Sequence, residues 1–220
     1  MDRSRSGWGG ARRAAGAVLA VVAMALSAAV GIPAARATTM IAMDLDQLAR
    51  FADAIVVARC DEVSSGRMAR EGAAAEGPLV IRTQARFTRL DSWKGAAPRE
   101  LRVVQPGGVD GRYAAIVPGG AAFEAGRESV LFLQDFGDGS WGVIGLFQGK
   151  LDLDHDASGQ VWVSRAGGIG EGGEAAPAAS GAIEMLRLRN VGADGRVSID
   201  SFHEQVRAAI ARVAPLRGAR

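Results

Sequence analysis

From Asp44 onward the apolar positions pass from a helical spacing to a strand spacing and, near the end of the chain, back again. Leu45, Leu48 and Phe51 recur every third residue, which predicts a short helix over 44–51 with Asp44 as its cap. Residues 54–63 follow as a strand, and the unbroken Ile55-Val56-Val57 run predicts burial on both faces. Residues 64–78, rich in Gly, Ala and Ser, read as a loop. Residues 79–93 alternate, with Arg82, Gln84, Arg86 and Thr88 on one side and Ile81, Thr83, Ala85 and Phe87 on the other. That pattern is a long strand with one wetter face. A third strand over 101–104 is stopped by Pro106-Gly107-Gly108. A fourth over 130–133 and a fifth over 141–147 flank the tight turn Gly137-Asp138-Gly139. Residues 150–153 and 160–163 read as a further hairpin.

Residues 166–182 are rich in Gly, Ala, Glu and Pro and read as a flexible loop. In the C-terminal segment, 183–220, Ile199, Phe202, Val206, Ile210 and Val213 mark a helix over about 199–213 that needs a partner surface. Ser198 or Ser201 can cap it. Strands separated by turns, with no long helix between them, predict an all-β domain with terminal helices. The expected form is a five-stranded, OB-like antiparallel barrel over 38–165 with an extra hairpin and a C-terminal amphipathic helix.

The first 37 residues change the account of where this domain works. Arg3, Arg5, Arg12 and Arg13 precede an apolar run over 14–32, and Ala35-Arg36-Ala37 supplies a small-x-small cleavage pattern. The expectation is an export signal cut between Ala37 and Thr38, leaving a periplasmic or extracellular protein with no stable membrane insertion. The whole chain has 26 Lys+Arg against 24 Asp+Glu. The leader holds five of the arginines and one aspartate, which leaves 21 against 23 and a net charge of −2. That balance gives no global attraction to nucleic acid or anionic lipid. Cys60 is the single cysteine, so no intrachain disulfide is available and the domain must stand on its core. Cys60 itself reads as a buried small side chain.

Three short pieces carry a family likeness. Residues 48–59, Leu-Ala-Arg-Phe-Ala-Asp-Ala-Ile-Val-Val-Ala-Arg, resemble the opening helix and first strand of netrin-like domains, which include the tissue inhibitors of metalloproteinases. Phe87-x-x-Leu90-x-x-Trp93-Lys94-Gly95 is similar to their "WKG" strand end, and 123–133 to their "F-x-x-G" strand. The order agrees over 44–148, as it does in a group of exported bacterial proteins. The resemblance implies a five-stranded OB-type barrel. It departs at one point: the inhibitors begin with Cys-x-Cys, whereas here the mature chain would begin Thr38-Thr39-Met40-Ile41. No disulfide can fix that terminus.

Candidate chemistry is sparse. Asp152, Asp154 and Asp156 with Ser158 and Gly159 place oxygen ligands at alternate positions, as a hard cation requires. Ala157 stands where a calcium loop has glycine, and Val163 where it has a bidentate glutamate. A solvated hairpin turn accounts better for the run, with Leu151 and Leu153 packed inward. His155 and His203 have no second ligand at zinc spacing, and no Gly-x-Ser-x-Gly elbow occurs. Trp93, Trp141 and Trp162 read as packing residues. The long connection over 106–126 is the candidate binding loop, through Arg112, Tyr113 and Phe123. The expectation is an exported, non-enzymatic binding or accessory module without a cofactor, acting on a protein partner. An inhibitor of a secreted metalloprotease is the alternative, and an exported hydrolase the third reading.

Overall fold

The computed structural model describes residues 41–69, 79–165, 168–169, 175–176, 186, 188–192 and 196–214. Residues 1–40, with the expected cleavage point between Ala37 and Thr38, nearly all of the Gly/Ala-rich stretch 166–182 and most of 183–189 lie outside the described residues.

Helix α1, Leu45–Phe51, opens the described chain. Asp44 accepts from the Gln47 N–H while the Gln47 side chain accepts from the Asp44 N–H, a reciprocal capping box. Its buried face is Leu45, Leu48, Ala49 and Ala52, and Phe51 is 56% exposed. The expected Leu45-Leu48-Phe51 stripe fails at its last member because steps of three lag behind 3.6 residues per turn. Strand β1, Ala54–Ala69, runs past the predicted end into residues expected to be loop. Its polar half is held by pairing with β2, Leu79–Lys94, from Glu62↔Arg86 to Ala69↔Leu79.

Strand β3, Glu100–Pro106, pairs with β2, and the short hairpin β4, Gly108–Asp110, and β5, Tyr113–Ala115, follows. Strands β6, Glu128–Asp135, and β7, Ser140–Val143, form the next hairpin. Strand β1 pairs with β2 on one side and β6 on the other, bending at register shifts around Ile55, Val57 and Cys60. The pairings β1-β2-β3-β7-β6-β1 therefore return to the strand they began from. All are antiparallel except β3 with β7, which is parallel at Arg102↔Ser140 and Val103↔Trp141. Gly145 and Leu146, both left-handed at φ 64° and 61°, end the fifth strand early and start a 3-10 turn at Leu146–Gly149. Strands β8, Lys150–His155, and β9, Val161–Arg165, are the predicted hairpin and extend the sheet from β6. Two two-residue strands, β10 (Gly168–Ile169) and β11 (Ala175–Ala176), pair with each other. Strand β12, Val197–Ser198, adds to β9 and leads into helix α2, Ile199–Val213, capped by Ser198.

Two apolar layers result. Val56, Ala58, Cys60, Ala85, Phe87, Leu101, Val103, Leu131, Leu133 and Trp141 pack together on the face enclosed by the returning pairings. On the other face, Ile55, Val57, Val130, Phe132, Leu151 and Leu153 meet α1 and the Phe202, Val206 and Ala209 side of α2. The β-branched run of β1 is thus buried on both sides, as predicted. The Trp93-Lys94-Gly95 corner ties the layers to the helices. Trp93 stacks on His203 at 4.3 Å, and the Lys94 ammonium donates to the Ala49 and Ala52 carbonyls at 2.5 and 2.6 Å, at the negative end of α1. Gly95, at φ 75°, lies so close to Asp53 that a Cβ would stand 2.1 Å from its carbonyl oxygen. Only glycine fits there.

Candidate functional site

The β4–β5 hairpin is made by side chains far away in sequence. Gly107 and Gly108 turn the chain at φ 90° and 137°, and a Cβ on Gly108 would meet the Ser65 hydroxyl at 2.1 Å. That close approach lets the Val109 N–H donate to Ser65 Oγ at 2.6 Å and Thr83 Oγ1 donate to the Gly107 carbonyl at 2.9 Å. Gly111, left-handed at φ 59°, and Arg112 then form the two-residue turn between Asp110 and Tyr113.

At the tip, two guanidinium groups lie against one phenol ring. Arg67 of β1 and Arg112 of the turn each sit 5.2 Å from the Tyr113 centroid, within cation–π range. Arg112 also donates to the Tyr113 hydroxyl at 3.0 Å, and Arg67 is paired with Asp110 at 2.9 Å. Tyr113 is nevertheless 48% exposed, whereas Val109, at 57%, pairs with Ala114 and so lies on the opposite face of the hairpin. The patch therefore has an aromatic centre and a cationic rim.

Of the three residues predicted for the loop, Arg112 and Tyr113 are brought together. Phe123 is not. Its ring meets Phe87 edge-on at 5.7 Å and packs onto the layer enclosed by the ring of pairings. Arg67, which the sequence reading passed over, belongs to the site. The sequence carried no signal for it, since 64–78 read as a loop and the register that brings Arg67 to Tyr113 depends on β1 pairing with β2 and on a hairpin held by Ser65 and Thr83.

The three aspartates are each engaged elsewhere. Asp152 accepts from the buried Lys150 ammonium at 2.5 Å and from Ser129 Oγ at 2.7 Å. Asp154 pairs with Arg127 at 2.7 Å. Asp156 accepts from Ser158 and from the Trp162 indole, which hold its carboxyl at about 2, well below the usual carboxylate range. Among the described residues no cluster of three or more His, Cys, Asp or Glu is placed to hold a metal ion. His155 lies 3.1 Å from Glu128 on the surface. Burial pushes the Cys60 thiol up from its ordinary range, with the Lys150 charge opposing only in part, so the sulfur stays protonated at neutral pH. The Ser129 hydroxyl donates to Asp152 at 2.7 Å, on the same carboxylate oxygen that Lys150 holds.

The arrangement defines a β-rich protein with two helices among its described residues and an aromatic–arginine patch at one hairpin tip. No protein-family model and no curated protein sequence matches the chain. No helix among the described residues is long and apolar enough to cross a membrane.

Proposed function

We propose that the chain is an exported, non-enzymatic binding module that docks a protein partner on the β4–β5 hairpin. The Arg67–Tyr113–Arg112 stack carries this reading. Tyr and Arg are among the residues enriched at energetic centres of protein contacts, and here the two guanidinium groups already lie against the Tyr113 ring without a partner. The scaffold belongs to the same proposal: an OB-type, netrin-like barrel. Two observations support it. The pairing order β1-β2-β3-β7-β6-β1, with its single parallel contact, is the order of an OB barrel. The Trp93-Lys94-Gly95 corner also gives the likeness a structural reason, since each of its residues has a separate duty.

The test places a photo-crosslinking phenylalanine analogue at position 113 of the processed chain in its native exported fraction. A saturable adduct is expected, displaced by unlabelled wild-type chain and not by a variant carrying Arg67→Glu and Arg112→Glu. Adducts no more frequent or saturable than those from the exposed, distant position 204 would sink the reading.

A further inference from the structure

Resting on the docking role just proposed, we infer that the hairpin recognises an acidic segment of its partner, through the guanidinium of Arg112 laid on Tyr113. The two arginines of the patch differ in one respect. Arg67 is neutralised by Asp110 at 2.9 Å, whereas Arg112 has no carboxylate partner among the described residues and touches only the ring and hydroxyl of Tyr113. A guanidinium stacked on a ring keeps its planar fork and loses little further rotamer freedom when it binds, which suits a bidentate contact with a carboxylate. Tyr113, 48% exposed, provides apolar ring area beside that guanidinium. The occupant that fits is a segment with Asp or Glu next to an apolar residue, the carboxylate for Arg112 and the apolar group for the Tyr113 ring.

Charge favours protein over lipid. Arg67, Asp110 and Arg112 sum to a single positive charge, and one basic residue gains only a few-fold in affinity for an anionic bilayer. That is too little to hold a folded domain there without a second anchor. In a protein contact the carboxylate pair fixes register, and the tyrosine ring supplies apolar area.

The experiment uses the processed chain and three fluorescent peptides: one alternating Glu with Leu and Phe, and its Gln and Lys counterparts. Phosphatidylglycerol vesicles form a fourth arm. The Glu peptide is expected to bind at least about tenfold tighter than the other two and to displace the position-113 adduct. Its binding should weaken as salt rises from about 50 to about 300 mM. Arg112→Gln should lose about tenfold, and Arg112→Lys should restore only part, because the point charge lacks the fork. Circular dichroism checks that both variants keep the fold. Equal binding of all three peptides, no peptide binding, an unchanged Arg112→Gln variant, or Arg112-dependent capture by vesicles alone would each overturn the inference. If the position-113 adduct survives any of these results, acidic recognition falls and the docking surface stands. If no saturable adduct forms at all, the docking surface itself is refuted.

Discussion

The Lys150–Asp152 pair offers the sharpest energetic test of the fold. Lys150 lies on the face of β8 opposite Leu151 and Leu153, and its side chain is 3% exposed against 13% for Asp152. Replacing Asp152 by Asn keeps the shape and removes the carboxylate paired with that ammonium. At 2.5 Å and an effective dielectric of about 20, the gross attraction is about 6–7 kcal/mol. Much of this is offset by the cost of bringing two charges out of water, and breaking such pairs costs about 3–5 kcal/mol. The partial exposure of Asp152 places the expectation near the lower figure, about 3 kcal/mol. Lys150→Met should cost less, about 1–2 kcal/mol, because Asp152 retains the Ser129 hydroxyl and some water. In the double variant no charge is left buried, so its loss should be smaller than the sum of the singles by at least about 1 kcal/mol. Urea unfolding at neutral pH measures all three, with the slope unchanged and the Asp152→Asn midpoint lowered by roughly 1–2 M. A loss below about 1 kcal/mol for Asp152→Asn, or simple additivity in the cycle, would refute a dry ion pair at this position.

Two titrations follow from the same structure. The Cys60 thiol, pushed up mainly by burial, should react with a disulfide reagent only as fast as the fold opens, and at once in denaturant. Because the folded state holds that proton more tightly than the unfolded chain, the contribution of Cys60 to stability should be full below the ordinary thiol range. It should fall as pH rises above that range, as unfolding midpoints from pH about 7 to about 10 would reveal. A native thiol that reacts like a free peptide would contradict its burial. Asp156, lowered from 3.8 to about 2 by Ser158 and then Trp162, should show a carboxyl carbon shift titrating near 2 by NMR. Its stabilising effect is then complete above the unfolded value near 3.8 and lost as pH falls through about 2. Titration near 3.8 would mean that the turn's hydrogen bonds are absent in solution.

How far the sequence spoke depended on the range over which each element is determined. Helix α1, the early part of β1, β2, the β8–β9 hairpin and α2 are set by local periodicity and caps, and they stand where the spacing put them. The second half of β1 has no apolar period. Residues such as Ser64 and Ser65 become strand because the alternating β2 lies opposite them. Alternation on one partner can therefore order a neighbour that carries no pattern of its own. The fifth strand failed in the opposite way. Residues 141–147 read as one apolar run, yet the left-handed pair Gly145-Leu146 turns the chain there. Gln148 holds that turn to the residues before α1, accepting from the Met43 N–H at 2.7 Å and donating to the Ile41 carbonyl at 3.1 Å. No window around residue 145 contains that information.

The candidate site shows the same division, with a consequence for how it should evolve. Arg112 and Tyr113 stood out because a lone tyrosine next to an arginine is conspicuous in a stretch of small residues. The strands that present them are three residues each and have no periodic signal. Their placement rests on Gly108, Ser65 and Thr83, and on Arg67 with Asp110, residues whose types are unremarkable until the register brings them together. A substitution at Gly108 should therefore displace the tip as a unit, since any side chain there collides with Ser65 and Thr83. A substitution at Arg112 should alter only what the tip recognises. Presentation and recognition lie on separate residues, so the chemistry of the patch can change while the ring of strands beneath it stays as it is.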